Sequence, residues 1–181
     1  MSKAVYRILV AMLSIVVLFC SYILFSAVVM TNRVSFESRE AVACDYARPK
    51  FLDIDKDQAI QLVNQHFDMS YILRIVDLDE SLFGQSIVPI SLVLLDNNLN
   101  STQTIQTLAH ELCHIKYYTN NETYTEYMTF VELYESDNEY LKNAAEWMIY
   151  EHLVLHANYG TAYDISYYIA EYLGLDAHVV N

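Results

Sequence analysis

The amino-acid sequence predicts an α+β fold: a mostly helical domain with a small β-sheet, preceded by one N-terminal transmembrane helix. Residues 8–30 carry no charged side chain, and two short runs between residues 70 and 95 are rich in β-branched and aliphatic residues. Most of the chain from residue 101 to residue 173 breaks into segments of helical character. We therefore predict a membrane anchor over 1–30, a linker over 31–52 and a folded domain over 53–181.

The apolar N-terminal run extends from Ile8 to Met30, with Lys3 and Arg7 before it and Arg33 after it. A helix of that length measures about 34 Å and can cross the hydrocarbon core of a bilayer. A cleaved signal peptide is the alternative, but its apolar region is usually only ~7–15 residues long. We predict an uncleaved, single-pass anchor, with the domain on the extracytoplasmic side of the membrane.

The charge of the chain limits its partners. The formal net charge is −13, and beyond residue 57 the only basic side chains are Arg74, Lys116 and Lys142. Such a domain is repelled by phosphate backbones and by anionic lipid, so we predict no nucleic-acid partner and membrane contact through the N-terminal helix alone.

Three cysteines are too few for a disulfide framework. Cys20 lies in the apolar run, Cys44 in the linker and Cys113 in a helical segment. A Cys44–Cys113 bridge and a thiol ligand at Cys113 are alternatives, but a small, semi-buried residue is the favoured interpretation of Cys113.

Two strands are predicted upstream of the longest helical segment. Ser70 to Leu78 forms the first, Gly84 and Gln85 mark a turn, and Ile87 to Leu95 forms the second. Because proline cannot donate a backbone hydrogen bond, Pro89 places the second strand at a sheet edge. An extended peptide could add to such an edge, although Pro89 could equally serve to block aggregation.

The helices are delimited by capping residues and polar breaks. A capping box at Thr161 and Asp164 starts the last helix, and Gly174 ends it. We expect five helices beyond residue 52: Asp53 or Asp55 to Phe67, Ser101 or Thr102 to the break at Tyr118, Glu122 to Glu135, Glu139 to His156, and Thr161 to Leu173.

The second of these helices contains an HExxH motif within Thr107 to Ile115. His110 and His114 are four residues apart, so both imidazoles project from one helix face and one metal ion can take both. Glu111 lies about 100° further round the helix, where its carboxylate can reach a water molecule on the metal. The opposite face carries a buried apolar stripe, formed by Ile105, Leu108, Leu112 and Ile115.

Two histidines do not complete a catalytic zinc site, which takes three protein ligands and an open position. If the next helix folds back antiparallel, it returns Glu126 to the level of the motif histidines, and Glu126 is the favoured third ligand. Glu146 on the following helix is an alternative third ligand. Glu122 and Glu139 are expected one helical turn away from the level of the motif histidines. These three remain open as alternatives.

A second pair of histidines, His152 and His156, also has a spacing of four. No glutamate follows the first histidine, so this pair lacks a catalytic base. We favour a structural role, with a second ion or replacement of the acidic ligand as the alternatives.

Part of the chain resembles the small zinc metallopeptidases of the ImmA/IrrE type. The resemblance lies in three consecutive segments: Ile90 to Leu95, Leu99 to Gln103 and Thr107 to His114. In those proteins a strand, a short polar turn and a TLAHELGH-like helix follow in the same order. The resemblance implies a zincin-like fold, bound Zn²⁺ and cleavage of a protein substrate. His110 and His114 match the ligands and Glu111 the base, while Cys113 stands where a glycine is usual.

Together these features predict a membrane-anchored, zinc-dependent endopeptidase that hydrolyses peptide bonds of a protein or peptide substrate. In that mechanism Glu111 activates the zinc-bound water, and an unassigned donor, for which a tyrosine is the natural choice, stabilises the oxyanion. The alternative is a non-catalytic, membrane-anchored binding or regulatory protein that retains a zincin fold.

Overall fold

The α+β class is confirmed by a computed structural model that describes residues 33–36, 48–79, 82–155, 163–175 and 177–180. The predicted membrane segment from Ile8 to Met30 lies outside these residues, and no helix within them is long and apolar enough to cross a membrane. The elements are β1 (Arg33–Phe36), α1 (Lys56–Phe67), β2 (Ile72–Val76), β3 (Gly84–Ile87), β4 (Leu92–Asp96), α2 (Ser101–Tyr117), α3 (Glu122–Tyr134), α4 (Glu139–Ile149), α5 (Tyr163–Tyr172) and β5 (Ala177–Val180).

The main sheet has three strands in the order β2-β4-β3, with β4 parallel to β2 and antiparallel to β3. The central position of β4 corrects the prediction that the second strand lies at an edge. Pro89 lies outside β4, in a 3-10 turn over Val88–Ile90 that joins β3 to β4. In that turn its fixed φ is favourable and its missing N–H removes no hydrogen bond from the sheet.

The predicted turn at Gly84 and Gln85 is also wrong. Both residues belong to β3, where Gly84 pairs with Leu95 and Gln85 with Leu94. Strands β2 and β3 are the two edges of this sheet, and β3 is the edge that runs beside α2. Its position brings the backbone of Gly84 against the helix that carries the HExxH motif.

The predicted linker contains structure. Strand β1 falls within it and pairs antiparallel with β5, a strand that the sequence did not predict. Further along, the ring of Phe51 stacks on Trp147 of α4 with centroids 4.7 Å apart, and Trp147 Nε1 donates to the carbonyl of Lys50 at 3.2 Å. Residues 48–52 thus pack on the domain that follows them.

Helix α2 runs through the middle of the core. Its N-terminus is fixed by a reciprocal capping box, in which the side chains of Asn100 and Gln103 each accept a hydrogen bond from the other residue's backbone N–H. The predicted apolar stripe is confirmed, because its first three residues are fully buried and the fourth is partly buried. The largest fully buried side chains around it are Val63, Val93, Leu95, Phe130, Leu133, Leu141, Ile149, Leu153 and Ile169.

Cys113 packs into this core. Its thiol is free and buried. Cys44, the partner in the alternative bridge, lies outside the described residues. Burial raises the pKa of the Cys113 thiol to about 12, which makes a thiolate ligand unfavourable.

Two features after α2 shape the site. Tyr118 adopts a left-handed conformation (φ 48°) that ends α2, and α3 begins four residues later, behind an Asn121 cap. The helix predicted to run to His156 is α-helical only as far as Ile149 and continues as a π-helical turn over Tyr150–Leu155. His156 lies outside the described residues.

Candidate metal centre

The two motif histidines face one another across a short gap. The Nε2 atoms of His110 and His114 lie 3.2 Å apart. Oε2 of Glu122, from the first turn of α3, lies 3.2 Å from Nε2 of His110 and 3.5 Å from Nε2 of His114. Two imidazoles and one carboxylate therefore form a group that could hold a metal ion.

Each motif histidine also has a contact on the side of the ring away from the gap. Nδ1 of His110 lies 2.7 Å from Oε2 of Glu126, and Nδ1 of His114 lies 2.7 Å from the backbone carbonyl of Thr119. A proton on each Nδ1 satisfies these two oxygens, which only accept, and in the neutral ring this leaves Nε2 as the nitrogen available to a metal ion. Three electron-rich atoms thus converge, as the ligands of a cation do.

Thr125 supports His114 from α3. Its hydroxyl donates to the carbonyl of Asn121 at 2.9 Å and lies 3.1 Å from Nδ1 of His114, from which it can accept. The left-handed Tyr118 returns the chain so that the Thr119 carbonyl reaches the same ring nitrogen. Neither contact could be predicted from the sequence, because both depend on the path of the loop between α2 and α3.

The spacing of the group fits zinc. Ligand atoms bound to a tetrahedral Zn²⁺ at about 2.0–2.2 Å are roughly 3.3–3.6 Å from one another. The three separations here are 3.2, 3.2 and 3.5 Å. Two histidines with one glutamate are also a donor set that catalytic zinc uses.

Charge in the site favours a cation as well. Burial alone would lower the pKa of His110, but the hydrogen bond and charge of Glu126, with smaller contributions from Glu111 and Glu122, raise it. The carboxylates around this imidazole thus stabilise positive charge at the position where the ligand atoms meet.

The four candidate acidic ligands occupy different positions. Glu122 belongs to the group of possible metal ligands with His110 and His114, whereas Glu126 contacts Nδ1, the other ring nitrogen of His110. Glu139 and Glu146 are exposed on α4, and neither is among the described residues that line the adjoining cavity. Glu122 reaches the histidines because the break between α2 and α3 is short and a glutamate side chain can span one helical turn.

The Glu126 carboxylate is held from two sides. Its Oε1 lies 3.4 Å from Nε2 of His152, a residue of the π-helical turn, while Oε2 binds His110. Burial opposes ionisation of this carboxyl, but the hydrogen bonds with His110 and His152 outweigh it and lower the pKa of Glu126 to about 2. Glu126 is therefore ionised at neutral pH.

Glu111 lies beside the ligand face and is 7% exposed. Burial raises the pKa of its carboxyl, partly offset by a hydrogen bond with the Ser86 side chain and by the two motif histidines. A Cβ at Gly84 would lie 3.1 Å from Oε1 of Glu111 and 2.6 Å from Cγ2 of Thr107. The bare backbone of Gly84 thus allows β3 to approach Glu111, and a glycine inside a strand is the signal that could have indicated this.

A cavity of about 470 Å³ adjoins these residues. It lies between β3, α2, α3 and the π-helical turn, so both Glu111 and Glu122 face a common volume. Its lining consists of Phe83, Gly84, Gln103, Gln106, Thr107, His110, Glu111, Glu122, Glu126, Met148 and Glu151.

Two histidines on one helix face, a carboxylate opposite them and a buried glutamate at the same cavity are the features of a zincin-like metallopeptidase domain. The family model of the IrrE N-terminal-like domain, Peptidase_M78, matches residues 57–181, and the chain belongs to this family. Comparisons with curated proteins and with solved structures find no match. The resemblance to ImmA/IrrE-type metallopeptidases is thereby confirmed, and the family supports a metallopeptidase-like function.

Proposed function

We propose that this chain is a membrane-anchored, zinc-dependent endopeptidase that hydrolyses peptide bonds of a protein or peptide substrate. The observation that carries the proposal is the convergence of two imidazole Nε2 atoms and a carboxylate oxygen within 3.5 Å, beside a cavity that Glu111 also lines. Family membership supports the same class of activity.

In this proposal His110, His114 and Glu122 are the three zinc ligands, and Glu126 orients His110. When bound, zinc supplies a positive charge that polarises the scissile carbonyl and acidifies water beside it. The exposed carboxylate of Glu122 and the buried carboxylate of Glu111 both line the cavity, and in this proposal the substrate occupies the part of the cavity that β3 borders.

Glu111 is the general base. Its carboxylate takes a proton from the attacking water and delivers that proton to the leaving amine. Its burial and raised pKa suit both steps, because a base with a pKa closer to neutrality also serves as an acid. The hydrogen bond from Ser86 holds the carboxylate on the side of the cavity formed by β3.

The substrate binds as an extended strand along β3. Within the described residues β3 pairs only with β4, which leaves its other edge open beside the cavity. Main-chain hydrogen bonds to such an edge hold a peptide in register without requiring a particular sequence. A peptide held along its length is cut internally, as an endopeptidase requires.

The membrane part of the proposal depends on the apolar run from Ile8 to Met30. A single helix there would hold the domain close to the bilayer on the extracytoplasmic side. Carbonate-resistant membrane association, lost when this segment is deleted, is the outcome that supports the anchor.

The activity is tested with the purified full-length chain. We expect bound zinc in the wild type, none in His110→Ala, and normal zinc without peptide cleavage in Glu111→Gln, with new termini in a denatured protein mixture measured by mass spectrometry. Equal zinc in wild type and His110→Ala contradicts the ligand assignment, and retained cleavage in Glu111→Gln contradicts the base. Zinc binding without any cleavage supports the non-catalytic alternative.

A further inference from the structure

Glu126 connects two imidazoles that come from different elements. Its Oε2 lies 2.7 Å from Nδ1 of His110 on α2, and its Oε1 lies 3.4 Å from Nε2 of His152 on the π-helical turn. Both carboxylate oxygens are engaged, so the group is restrained against rotation about its terminal bond. These contacts run from His152 through Glu126 to Nδ1 of His110. Nδ1 is the ring nitrogen that does not face His114.

We infer that Glu126 and His152 are positioning residues that set the orientation and tautomer of His110 for metal binding. This inference rests on the proposed function, since it requires His110 to be a zinc ligand. Neither Glu126 nor His152 is part of the possible metal-binding group, which consists of His110, His114 and Glu122. Carboxylates behind a ligating histidine fix its ring and increase its basicity, and their loss typically lowers metal affinity 10–100-fold.

The backbone that carries His152 supports this role. It is a π-helical turn, a conformation that is rare and frequently located at functional sites. The wider turn changes the direction of His152 relative to the α-helical residues before it. The hydroxyl of Ser166 on α5 donates to the His152 carbonyl at 3.1 Å, so the backbone of the turn is also held by α5.

The burial of the three side chains is consistent with a permanent arrangement. The relative side-chain exposures are 18% for His110, 31% for Glu126 and 17% for His152. A charge-assisted hydrogen bond in such surroundings is stronger than one in water, since less solvent competes for the same atoms. Loss of His152 would leave one oxygen of Glu126 free to turn away from His110.

The test compares zinc dissociation constants of full-length variants by competition with a chromophoric chelator. We expect affinity to fall 10–100-fold in Glu126→Gln and about 10-fold in His152→Ala, at the lower end of that range. His152→Gln should recover most of the loss, because its amide can donate to Glu126. The visible spectrum of the Co²⁺-substituted protein should shift in Glu126→Gln and His152→Ala, which a change in folding stability alone would not produce.

A matched control exists elsewhere in the domain. His66 Nε2 lies 3.4 Å from Oε2 of Glu132, the same separation as in the His152–Glu126 contact, but away from the metal group. His66→Ala should therefore leave zinc affinity and the Co²⁺ spectrum unchanged.

Three results would overturn the inference. Only the third removes the proposed zinc-dependent activity, while the second changes the proposed third ligand from Glu122 to Glu126. Unchanged affinity and spectrum in Glu126→Gln and His152→Ala, with zinc bound by the wild type, remove the positioning role alone. Loss of zinc in Glu126→Gln as complete as in His110→Ala, with zinc retained in Glu122→Gln, makes Glu126 a ligand. No zinc in the wild type removes the proposed function and this inference together.

Discussion

Nε2 of His110 and Nε2 of His114 lie 3.2 Å apart, and Nδ1 of each ring faces an oxygen that only accepts. When both rings are neutral with the proton on Nδ1, the two Nε2 lone pairs and the Glu122 carboxylate beside them repel one another. A bound cation replaces that repulsion with attraction. This relationship links the fold to the proposed chemistry.

Zinc should stabilise the folded chain. A ligand that binds only the native state adds about 2.7 kcal/mol to the free energy of unfolding at a concentration 100-fold above its dissociation constant. We expect thermal unfolding to shift upward with zinc and downward with a chelator in the wild type, measured by circular dichroism. His110→Ala should show neither shift, and an equal response of this variant would place the zinc elsewhere.

Gly84→Ala should reduce peptide cleavage at least tenfold while leaving zinc bound. The new methyl group would lie 2.6 Å from Cγ2 of Thr107 and 3.1 Å from Glu111, so β3 and the base must move apart. The same overpacking should lower the free energy of unfolding by about 1–3 kcal/mol. Urea unfolding and cleavage rates measure both effects.

Two variants control for this substitution. Gln85→Ala changes an exposed residue of the same strand and should have little effect. Adding Thr107→Ser to Gly84→Ala removes the closest clashing atom and should restore part of the activity. Wild-type activity in Gly84→Ala alone would show that the close approach of β3 to Glu111 is not required.

Glu132→Gln should destabilise the chain at neutral pH. Oε1 of Glu132 accepts from Lys116 at 2.6 Å and from the Tyr117 hydroxyl. Burial opposes ionisation, but these hydrogen bonds lower the pKa of Glu132 below its usual 4.5. A carboxyl whose pKa is lower in the folded state stabilises the fold above the unfolded pKa, and this contribution disappears as pH falls through the folded pKa.

We therefore expect Glu132→Gln to lose about 1–2 kcal/mol at pH 7, near the lower end of what hydrogen bonds to charged groups contribute because solvent partly screens this pair, and progressively less as pH falls below 4.5. Urea unfolding across this pH range measures the difference. Glu146→Gln, at an exposed position of α4, should show no such dependence. A difference that grows towards low pH would contradict the direction of the pKa shift.

Tyr118→Gly should stabilise the chain. Tyr118 has φ 48° and its side chain is 75% exposed, so a left-handed backbone is imposed on a residue that gains little from packing. Glycine adopts this conformation without steric strain, which should add about 0.5–1 kcal/mol to the free energy of unfolding. Tyr118→Ala keeps the strain and should not stabilise. Equal effects of the two substitutions would show that the backbone conformation is not limiting.

Local signals predicted much of this structure. The ligand face and buried stripe of α2 follow from helical periodicity, and the helix boundaries follow from short-range caps such as Asn121 before α3. These features depend on residues within a few positions of one another, which is why His110, His114 and Glu111 could be assigned to one site face before the structure was known.

Long-range arrangement could not be predicted in the same way. The pairing of β1 with β5 joins opposite ends of the chain, and the placement of β4 between β2 and β3 depends on which strands meet in space. The position of Glu122 against the histidines depends on how tightly the chain turns after α2. A one-turn difference in that loop decides whether Glu122 or Glu126 faces the ligand nitrogens.

The most direct test of the account is zinc K-edge X-ray absorption on the purified full-length chain, repeated on Glu122→Gln. The account predicts one zinc with two imidazole nitrogens and a carboxylate oxygen at about 2.0–2.2 Å, and loss of that oxygen and of most affinity in the variant. Zinc without imidazole ligands, or no bound zinc at saturating concentration, would contradict it.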